Sequence, residues 1–309
     1  MRATRRTTTA DVAFEEAFEL GEGPLSIRPG CLTWVDVLKG TLIVGSGENG
    51  ILSERIRYHT GLHLGAALPR GGGGDGWLLA AGSGFAHLAT DGTVRVLAEP
   101  ERGQRGVVRM NDAKCDHAGR LWAGSMAYDE RPGAGSLFRV DLDGRVTRVL
   151  RDRQVSNGID WSPDGSIFYY SDSGHGVVYQ APYDTDRGEL GPLRTFVEPT
   201  PVDGVPDGLT VDAEGMIWVA FWRGGAVRRY DPAGRLIEEV RTGAPHTTSC
   251  CHGDTDGRTL FITSATARLT AAELAAAPRS GQVFATHVDA PAAPARPFLG
   301  ALPEAAGDA

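Results

Sequence analysis

The sequence has few cysteines and no long apolar run, and both absences exclude classes of protein. The four cysteines, at positions 31, 115, 250 and 251, have no CxxC spacing, which argues against a structural zinc site and a disulfide framework. No apolar run approaches the length of about 18 residues that a membrane-spanning helix needs. The hydrophobic share of 41% is nevertheless enough for a globular chain with a full core.

Positive charge is also scarce. The chain has 31 basic and 39 acidic residues, a net charge of -8, and no basic stripe, which argues against nucleic acid or an anionic membrane as a partner. The first ten residues carry Arg but lead into DVAFEEAFEL, whose acidic residues interrupt the apolar core of a secretory signal. We therefore expect a cytoplasmic protein, a monomer or weak homo-oligomer, with neither nucleic acid nor membrane as a partner.

Glycine, by contrast, is abundant, and its 42 copies are not scattered. Most lie in Asp-Gly-like turns followed by short alternating strands. Six such turns recur at intervals of 46, 43, 46, 50 and 42 residues, and their glycines are Gly30, Gly76, Gly119, Gly165, Gly215 and Gly257. This period, with about four short strands in each repeat, predicts an all-β fold, a six-bladed β-propeller.

The repeats leave little of the chain outside one domain. We predict a single propeller domain over residues 14–300, an N-terminal extension over 1–13 and a C-terminal tail over 301–309. One short helix is expected in TAAELAAAP, residues 270–278. The Ala/Pro-rich segment 289–309 either closes the ring as a last strand or hangs loose. Five tryptophans follow the repeat and are expected to pack between blades: Trp34, Trp122, Trp161, Trp218 and Trp222.

An oxygen-bearing side chain recurs eight residues before the turn glycine. The residue there is Glu22, Asn111, Asn157 or Asp207 in four repeats, and Leu68 or Ser249 in the other two. Because the innermost strands of a propeller line its central channel, equivalent positions converge near the axis. Four oxygen-bearing side chains are then expected to meet there.

Two carboxylates in a narrow channel repel each other, and a cation resolves that repulsion. Glu, Asp and Asn oxygens form a hard ligand set that suits Ca²⁺, Mg²⁺ or Mn²⁺, and also accommodates Zn²⁺ or Fe²⁺. The alternative for each residue alone is a tight turn, since Asn157-Gly158 and Asp207-Gly208 are strong turn signals. Glu22 discriminates between them, because the EGP turn that contains it needs no carboxylate.

Several long motifs, in order, resemble the senescence marker protein 30/gluconolactonase/regucalcin-like family of six-bladed propellers. They run from LGEGPLSIRPGCLTWVDV through RMNDAKCDHAGRLWAGSM, SNGIDWSPDGSIFYYSDS and PDGLTVDAEGMIWVAFW to TTSCCHG. The family holds one divalent cation near the axis by a Glu, an Asn and an Asp. The resemblance assigns the metal ligands to Glu22, Asn157 and Asp207, and the substrate contacts to Arg109 and Asn111.

Two positions depart from the family pattern. Tyr128 follows GSMA, where some relatives carry an acidic residue, and His252 in CCHG stands where an aromatic residue usually packs. We interpret His252 as structural.

The resemblance implies metal-dependent hydrolysis of a small-molecule sugar lactone, an aldonolactone, to its aldonic acid. Asp207 is then the expected catalytic base as well as a ligand, because only it and Glu22 are ionisable among the recurring positions. Gly208 would leave backbone room for substrate beside it. Two alternatives stay open: a hydrolase for phosphotriesters or non-sugar lactones on the same fold, and a non-enzymatic metal-binding propeller.

Overall fold

The computed structural model of the chain describes residues 6–200 and 203–304. Residues 1–5 of the predicted extension and 305–309 of the predicted tail lie outside the described residues. Within the described ranges the strands form six sheets arranged around a central channel. The predicted six-bladed propeller is therefore confirmed.

Blades 1, 2 and 3 each consist of four consecutive antiparallel strands, because Gly-containing hairpins return the chain after each short strand. From the channel outward, the strands of blade 1 are Gly21–Arg28, Cys31–Asp36, Thr41–Glu48 and Ile51–His59. Those of blade 2 are Leu64–Pro69, Trp77–Ala81, Gly84–Leu88 and Val94–Val96. Those of blade 3, after a 3₁₀ turn at Arg102–Gln104, are Val108–Cys115, Leu121–Ala127, Gly135–Val140 and Val146–Arg153.

Blades 4, 5 and 6 differ at their outer edges. Blade 4 contains Ser156–Trp161, Ile167–Asp172 and Val177–Asp184, with Glu189–Leu190 and Arg194–Val197 both paired to the third strand. Blade 5 contains Val205–Val211, Ile217–Trp222, Ala226–Tyr230 and Leu236–Arg241. Blade 6 contains Thr247–Gly253, Thr259–Ser264 and Val283–His287.

The N-terminal segment closes the ring. Asp11–Phe14 pairs antiparallel with Val283–His287 as the fourth strand of blade 6, and Arg6–Thr9 pairs parallel with Leu236–Arg241 of blade 5. Residues 6–13, expected outside the propeller, thus belong to it. The reason is that a last blade of three strands leaves an unpaired edge, which the N-terminus covers.

The described part of the C-terminal segment, residues 289–304, neither adds a strand nor hangs loose. It crosses the face at the carboxyl ends of the inner strands, where Phe298 exchanges backbone hydrogen bonds with Pro69 and Gly71, and Ala301 donates to Leu142 O. Phe298 is fully buried in the core between blades 2 and 3. One end of the channel is therefore covered by this segment.

The core consists of six apolar clusters, each lying between two adjacent blades of the described structure. Trp34, Trp122, Trp161 and Trp218 are fully buried in these clusters, as expected for blade packing. The predicted helix is present as Ala271–Ala276, with Thr270 and Glu273 forming a capping box. The described residues contain no helix with the length and hydropathy of a membrane span.

Candidate active site

All six described inner strands contain a β-bulge near the end opposite the C-terminal segment, shown by a shift in the pairing register. Asn111, Asn157 and Asp207 lie inside the bulges of blades 3, 4 and 5, and Glu22 is the last paired residue before the bulge of blade 1. A bulge re-aims side chains out of the sheet, here toward the channel. Asn157-Gly158 is therefore part of a strand and not a tight turn.

The spacing of eight residues is wrong for blade 2. Leu68 pairs with Leu78 and is buried in the core between blades 2 and 3, whereas the bulge lies at Gly65. The cause is the hairpin after the inner strand, which spans residues 70–76 in blade 2 but only 116–120 in blade 3. A longer hairpin moves the turn glycine away from the bulge.

Glycines beside the channel residues let neighbouring inner strands approach closely. A Cβ at Gly158 would lie 2.6 Å from Asp207 O, and one at Gly208 would collide with the Ser249 side chain. The expectation that Gly208 leaves room for substrate is therefore wrong, because blade 6 occupies that space. These contacts bring the side chains of blades 4, 5 and 6 together near the axis.

The five predicted site residues line one cavity of about 550 Å³ at this end of the channel. They are Glu22, Arg109, Asn111, Asn157 and Asp207. All five are themselves buried, so their polar atoms need hydrogen-bond partners from the protein or from a ligand. The structure thus brings the predicted residues together, while their individual roles remain predictions.

The amide of Asn157 has a defined orientation at the base of the cavity. Its Nδ2 donates to Ser173 Oγ at 3.1 Å and also to Asp207 Oδ1. Its Oδ1 is buried and has no hydrogen-bond partner among the described residues. A buried amide oxygen without a donor is costly unless something else binds it.

Three buried carboxylates on the inner strands, those of Glu22, Asp207 and Asp112, have raised pKa values. Burial and, next, the charge of Asp112 raise the pKa of Glu22 to about 8. Burial, then Glu22 and Asp112, raise the pKa of Asp207 well above its ordinary value. Burial also raises the pKa of Asp112 itself to about 6, although Lys114 opposes the shift. A bound cation would relieve the repulsion that Glu22 and Asp112 exert on the charged form of Asp207.

The donor set fits a hard divalent cation. Within the described residues no group of three His, Cys, Asp or Glu side chains is placed to hold a metal. The arrangement of Glu22, Asp207 and Asn157 supplies two carboxylates and the unpartnered amide oxygen, a set of oxygens that suits Ca²⁺ or Mg²⁺. Oxygen ligands of this kind are poor at selecting one metal among several.

Arg109 lies beside the carboxylates with part of its guanidinium committed. Nη1 donates to Asn111 Oδ1 at 2.6 Å and to Met110 O at 3.0 Å, and Asn111 Nδ2 donates to Ser156 O at 3.0 Å. Both polar ends of the Asn111 amide are therefore engaged with protein groups, so Asn111 orients Arg109. Burial lowers the pKa of Arg109. Nε and Nη2 make no hydrogen bond to the described residues, and the Arg109 residue lines the cavity.

Two aromatic side chains line the wall of the cavity. Tyr128, which is 36% exposed, contacts His63 Nδ1 through its hydroxyl at 2.6 Å. Trp222 stacks on His246 with ring centroids 3.7 Å apart and an angle of 14° between the rings. The expected packing of Trp222 between blades is present, because His246 leads into blade 6, but Trp222 is only half-buried and also lines the cavity.

The chain belongs to the family described as the SMP-30/Gluconolactonase/LRE-like region, whose sequence model matches residues 20–266. The zebrafish (Danio rerio) protein named regucalcin is 34% identical over 279 residues, which cover 89% of this chain and 92% of that protein. A Pseudomonas putida protein named 6-deoxy-6-sulfogluconolactonase is 36% identical over 278 residues, 88% of this chain and 92% of its own length.

A solved structure supports the same family. The calcium-binding protein regucalcin from Agrobacterium tumefaciens superimposes with a TM-score of 0.87 at 28% identity, covering 96% of this chain and 99% of its own. The match extends over nearly the whole length of both chains, so the propeller and its inner-strand ring are shared throughout.

Among the cavity-lining residues that sequence reasoning missed are Ser173, Trp222 and Arg268. Ser173 and Arg268 carry no recurring signal, since each follows the end of a second strand, where the chain varies between blades. Trp222 did follow the repeat, but so did the buried tryptophans. Only the three-dimensional structure shows that Trp222 lines the cavity, whereas the other four repeat tryptophans are buried in the core.

Proposed function

We propose that this chain hydrolyses a sugar lactone to its aldonic acid with one divalent cation held by Glu22, Asn157 and Asp207. The observation that carries the proposal is the unpartnered Asn157 Oδ1, buried beside two carboxylates of raised pKa at the base of a cavity. A cavity of about 550 Å³ has room for a single sugar ring. The name of the 36% identical sulfogluconolactonase supports the same reaction class.

The charge of the cavity favours a neutral substrate. Four carboxylates, those of Glu19, Glu22, Glu130 and Asp207, and two guanidinium groups, those of Arg109 and Arg268, line it. A divalent cation would balance these formal charges. A lactone is neutral and rich in oxygen acceptors, whereas its aldonic acid product is an anion.

Each residue has a role that its contacts allow. When bound, the cation would polarise the ester carbonyl and lower the pKa of water. Arg109 donates from Nε or Nη2 to oxygens of the substrate, with its orientation held by Asn111. Asp207 accepts a proton from the attacking water, and the proton is later returned to the leaving ring oxygen. Tyr128 and Trp222 form the wall against which the ring packs.

A substrate panel tests the proposal and separates it from the alternatives. Purified protein is stripped with EDTA, dialysed, and assayed with and without added Ca²⁺, Zn²⁺, Mn²⁺ or Mg²⁺ against aldonolactones, an acyl-homoserine lactone and a phosphotriester. We expect aldonolactone hydrolysis that needs metal. A preference for the phosphotriester or the non-sugar lactone would replace the substrate class, and metal binding without any hydrolysis would point to a non-enzymatic propeller.

Two variants test the ligand assignment in the same experiment. Glu22→Gln should lose metal-dependent activity and bind the metal more weakly, because it removes one carboxylate of the set. Asp164→Asn is a matched control, since Asp164 lies in an exposed turn of blade 4 and, among the described residues, bonds only to Ser162 and Ser166. Full metal binding by Glu22→Gln would show that Glu22 is not a ligand.

A further inference from the structure

Ser173 connects two of the proposed metal ligands. It follows the second strand of blade 4, lines the cavity, and accepts a hydrogen bond from Asn157 Nδ2 at 3.1 Å. Its own hydroxyl donates to Pro206 O at 2.7 Å, on the residue that precedes Asp207. Ser173 therefore lies between the side chain of one ligand and the backbone of another.

The hydrogen bond from Ser173 to Pro206 O decides which group is the donor between Ser173 and Asn157. A backbone carbonyl only accepts, so the single hydroxyl proton of Ser173 is committed to Pro206 O. Toward Asn157 the Ser173 oxygen can then only accept. The amide of Asn157 must present its NH₂ group to Ser173, which directs Oδ1 the other way, where it is buried without a protein donor.

An Asn amide can be rotated by half a turn with little change in shape, so the direction of its oxygen has to be imposed by neighbours. Asp207 Oδ1 imposes the same direction, but Asp207 is itself a proposed ligand. Ser173 is outside the ligand set, and its oxygen remains an acceptor whether or not a cation is bound.

We propose that Ser173 is a positioning residue that fixes the Asn157 amide so that Oδ1 is available to the cation. The inference rests on the proposed metal site and names a residue that supports it. Groups that orient metal ligands through hydrogen bonds typically change metal affinity by about 10-fold to 100-fold when they are removed. Loss of the Ser173 hydroxyl should act on metal affinity more than on stability.

Calorimetric titration of the EDTA-treated protein with Ca²⁺, and separately with Zn²⁺, measures this effect without any activity assay. We expect Ser173→Ala to raise the Kd by about 10-fold or more, and Ser173→Thr to keep it near the wild-type value because the hydroxyl is retained. Ser171→Ala is the matched control. Ser171 lies two residues earlier, within the second strand of blade 4, is fully buried, and its hydroxyl has no partner among the described residues.

A second background separates orientation from general structure. In Asn157→Asp both side-chain oxygens are equivalent, so there is no amide to orient, and adding Ser173→Ala should leave its Kd unchanged. A Ser173→Ala loss of equal size in both backgrounds would overturn the inference. So would an unchanged Kd in Ser173→Ala when Glu22→Gln weakens binding, and then the metal site itself would still stand. If the wild-type protein binds neither cation, the proposed metal site fails and the inference with it.

Discussion

Arg268 and Glu130 form an ion pair of 2.6 Å, although they belong to blades on opposite sides of the ring. Arg268 follows the second strand of blade 6 and Glu130 follows the second strand of blade 3, and both line the cavity. Both also have left-handed backbone conformations, with φ of 62° and 55°. The pair therefore crosses the mouth of the cavity above the predicted ligands.

Breaking this pair should affect the substrate more than the fold. The Arg268 and Glu130 side chains are 54% and 37% exposed, so Arg268→Ala should change the free energy of unfolding by less than about 1 kcal/mol in urea denaturation. We expect the KM for a lactone to rise by up to about fivefold, the equivalent of ~1 kcal/mol, with metal affinity unchanged. Arg131→Ala, which removes an exposed pair with Asp129 in the same loop, is the control. Equal KM changes in Arg268→Ala and Arg131→Ala would show that the Arg268–Glu130 pair has no role in substrate binding.

Removing the Arg109 guanidinium should separate substrate binding from metal binding. Arg109→Ala is expected to lower kcat/KM by about tenfold or more, the scale of ~1.4 kcal/mol of lost transition-state stabilisation. Metal affinity should be spared, because Arg cannot ligate a cation. Arg109→Lys should recover little, since one ammonium cannot bond Asn111 and substrate with the same fork geometry. Loss of the metal together with activity would instead assign Arg109 a structural role.

Asp207 is expected to act in proton transfer as well as in metal binding. A metal-loaded Asp207→Asn variant should lower kcat far more than it raises KM, because the amide cannot accept the proton. The acidic limb of the pH–rate profile should become flatter for the same reason. Stopped-flow or pH-stat assays at saturating metal measure both quantities. Near-normal kcat with an unchanged profile would exclude Asp207 as the base.

Asp160 stabilises the closed end of the channel. Burial opposes its ionisation, but Lys114 and Arg296 outweigh burial and lower its pKa to about 2. Asp160→Ala leaves both cations without this partner, so we expect a loss of about 3–5 kcal/mol in unfolding free energy. Asp164→Ala, in the exposed turn of the same blade, should cost much less.

The pH dependence of this contribution follows from the lowered pKa. The stabilisation by Asp160 is fully present above the unfolded pKa of about 3.9 and is lost as the pH falls toward the folded value. Urea denaturation between pH 2.5 and pH 6 should therefore show a steeper acid loss in the wild type than in Asp160→Ala. Parallel curves would contradict the assignment.

His252 should make the fold sensitive to mild acid. It packs edge-on against Trp218, its Nε2 has no partner among the described residues, and burial lowers its pKa to about 4. Because the unfolded chain takes up a proton near pH 6.5 and the folded one does not, stability is present above pH 6.5 and falls as the pH drops toward 4. His252→Phe should reduce proton uptake on unfolding in this range by about one. A slope equal to that of the wild type would show that His252 does not contribute.

Much of the architecture was predictable from the sequence because a propeller blade is built from local hairpins. The recurring turns place a glycine in a left-handed conformation, as at Gly165 and Gly215 with φ of 73° and 81°. The spacing of these glycines in the sequence therefore reveals the repeat. The common position of Asn111, Asn157 and Asp207 in their repeats followed from that period. The same reasoning wrongly placed Leu68 in the channel. The longer hairpin of blade 2 changes the number of residues between the bulge and the turn glycine but leaves the arrangement of the strands unchanged.

The tertiary structure decided whatever depends on contacts between blades or across the ring. Ser173 meets Asn157 and Pro206, Trp222 meets His246, and Arg268 meets Glu130, over separations in sequence that no local pattern encodes. The direction of the Asn157 oxygen is set by a hydrogen-bond chain that spans two blades. Local turn chemistry thus determined which residues reach the channel. Their orientation and the pKa values of their carboxyl groups depend on contacts between blades, which only the closed ring brings together.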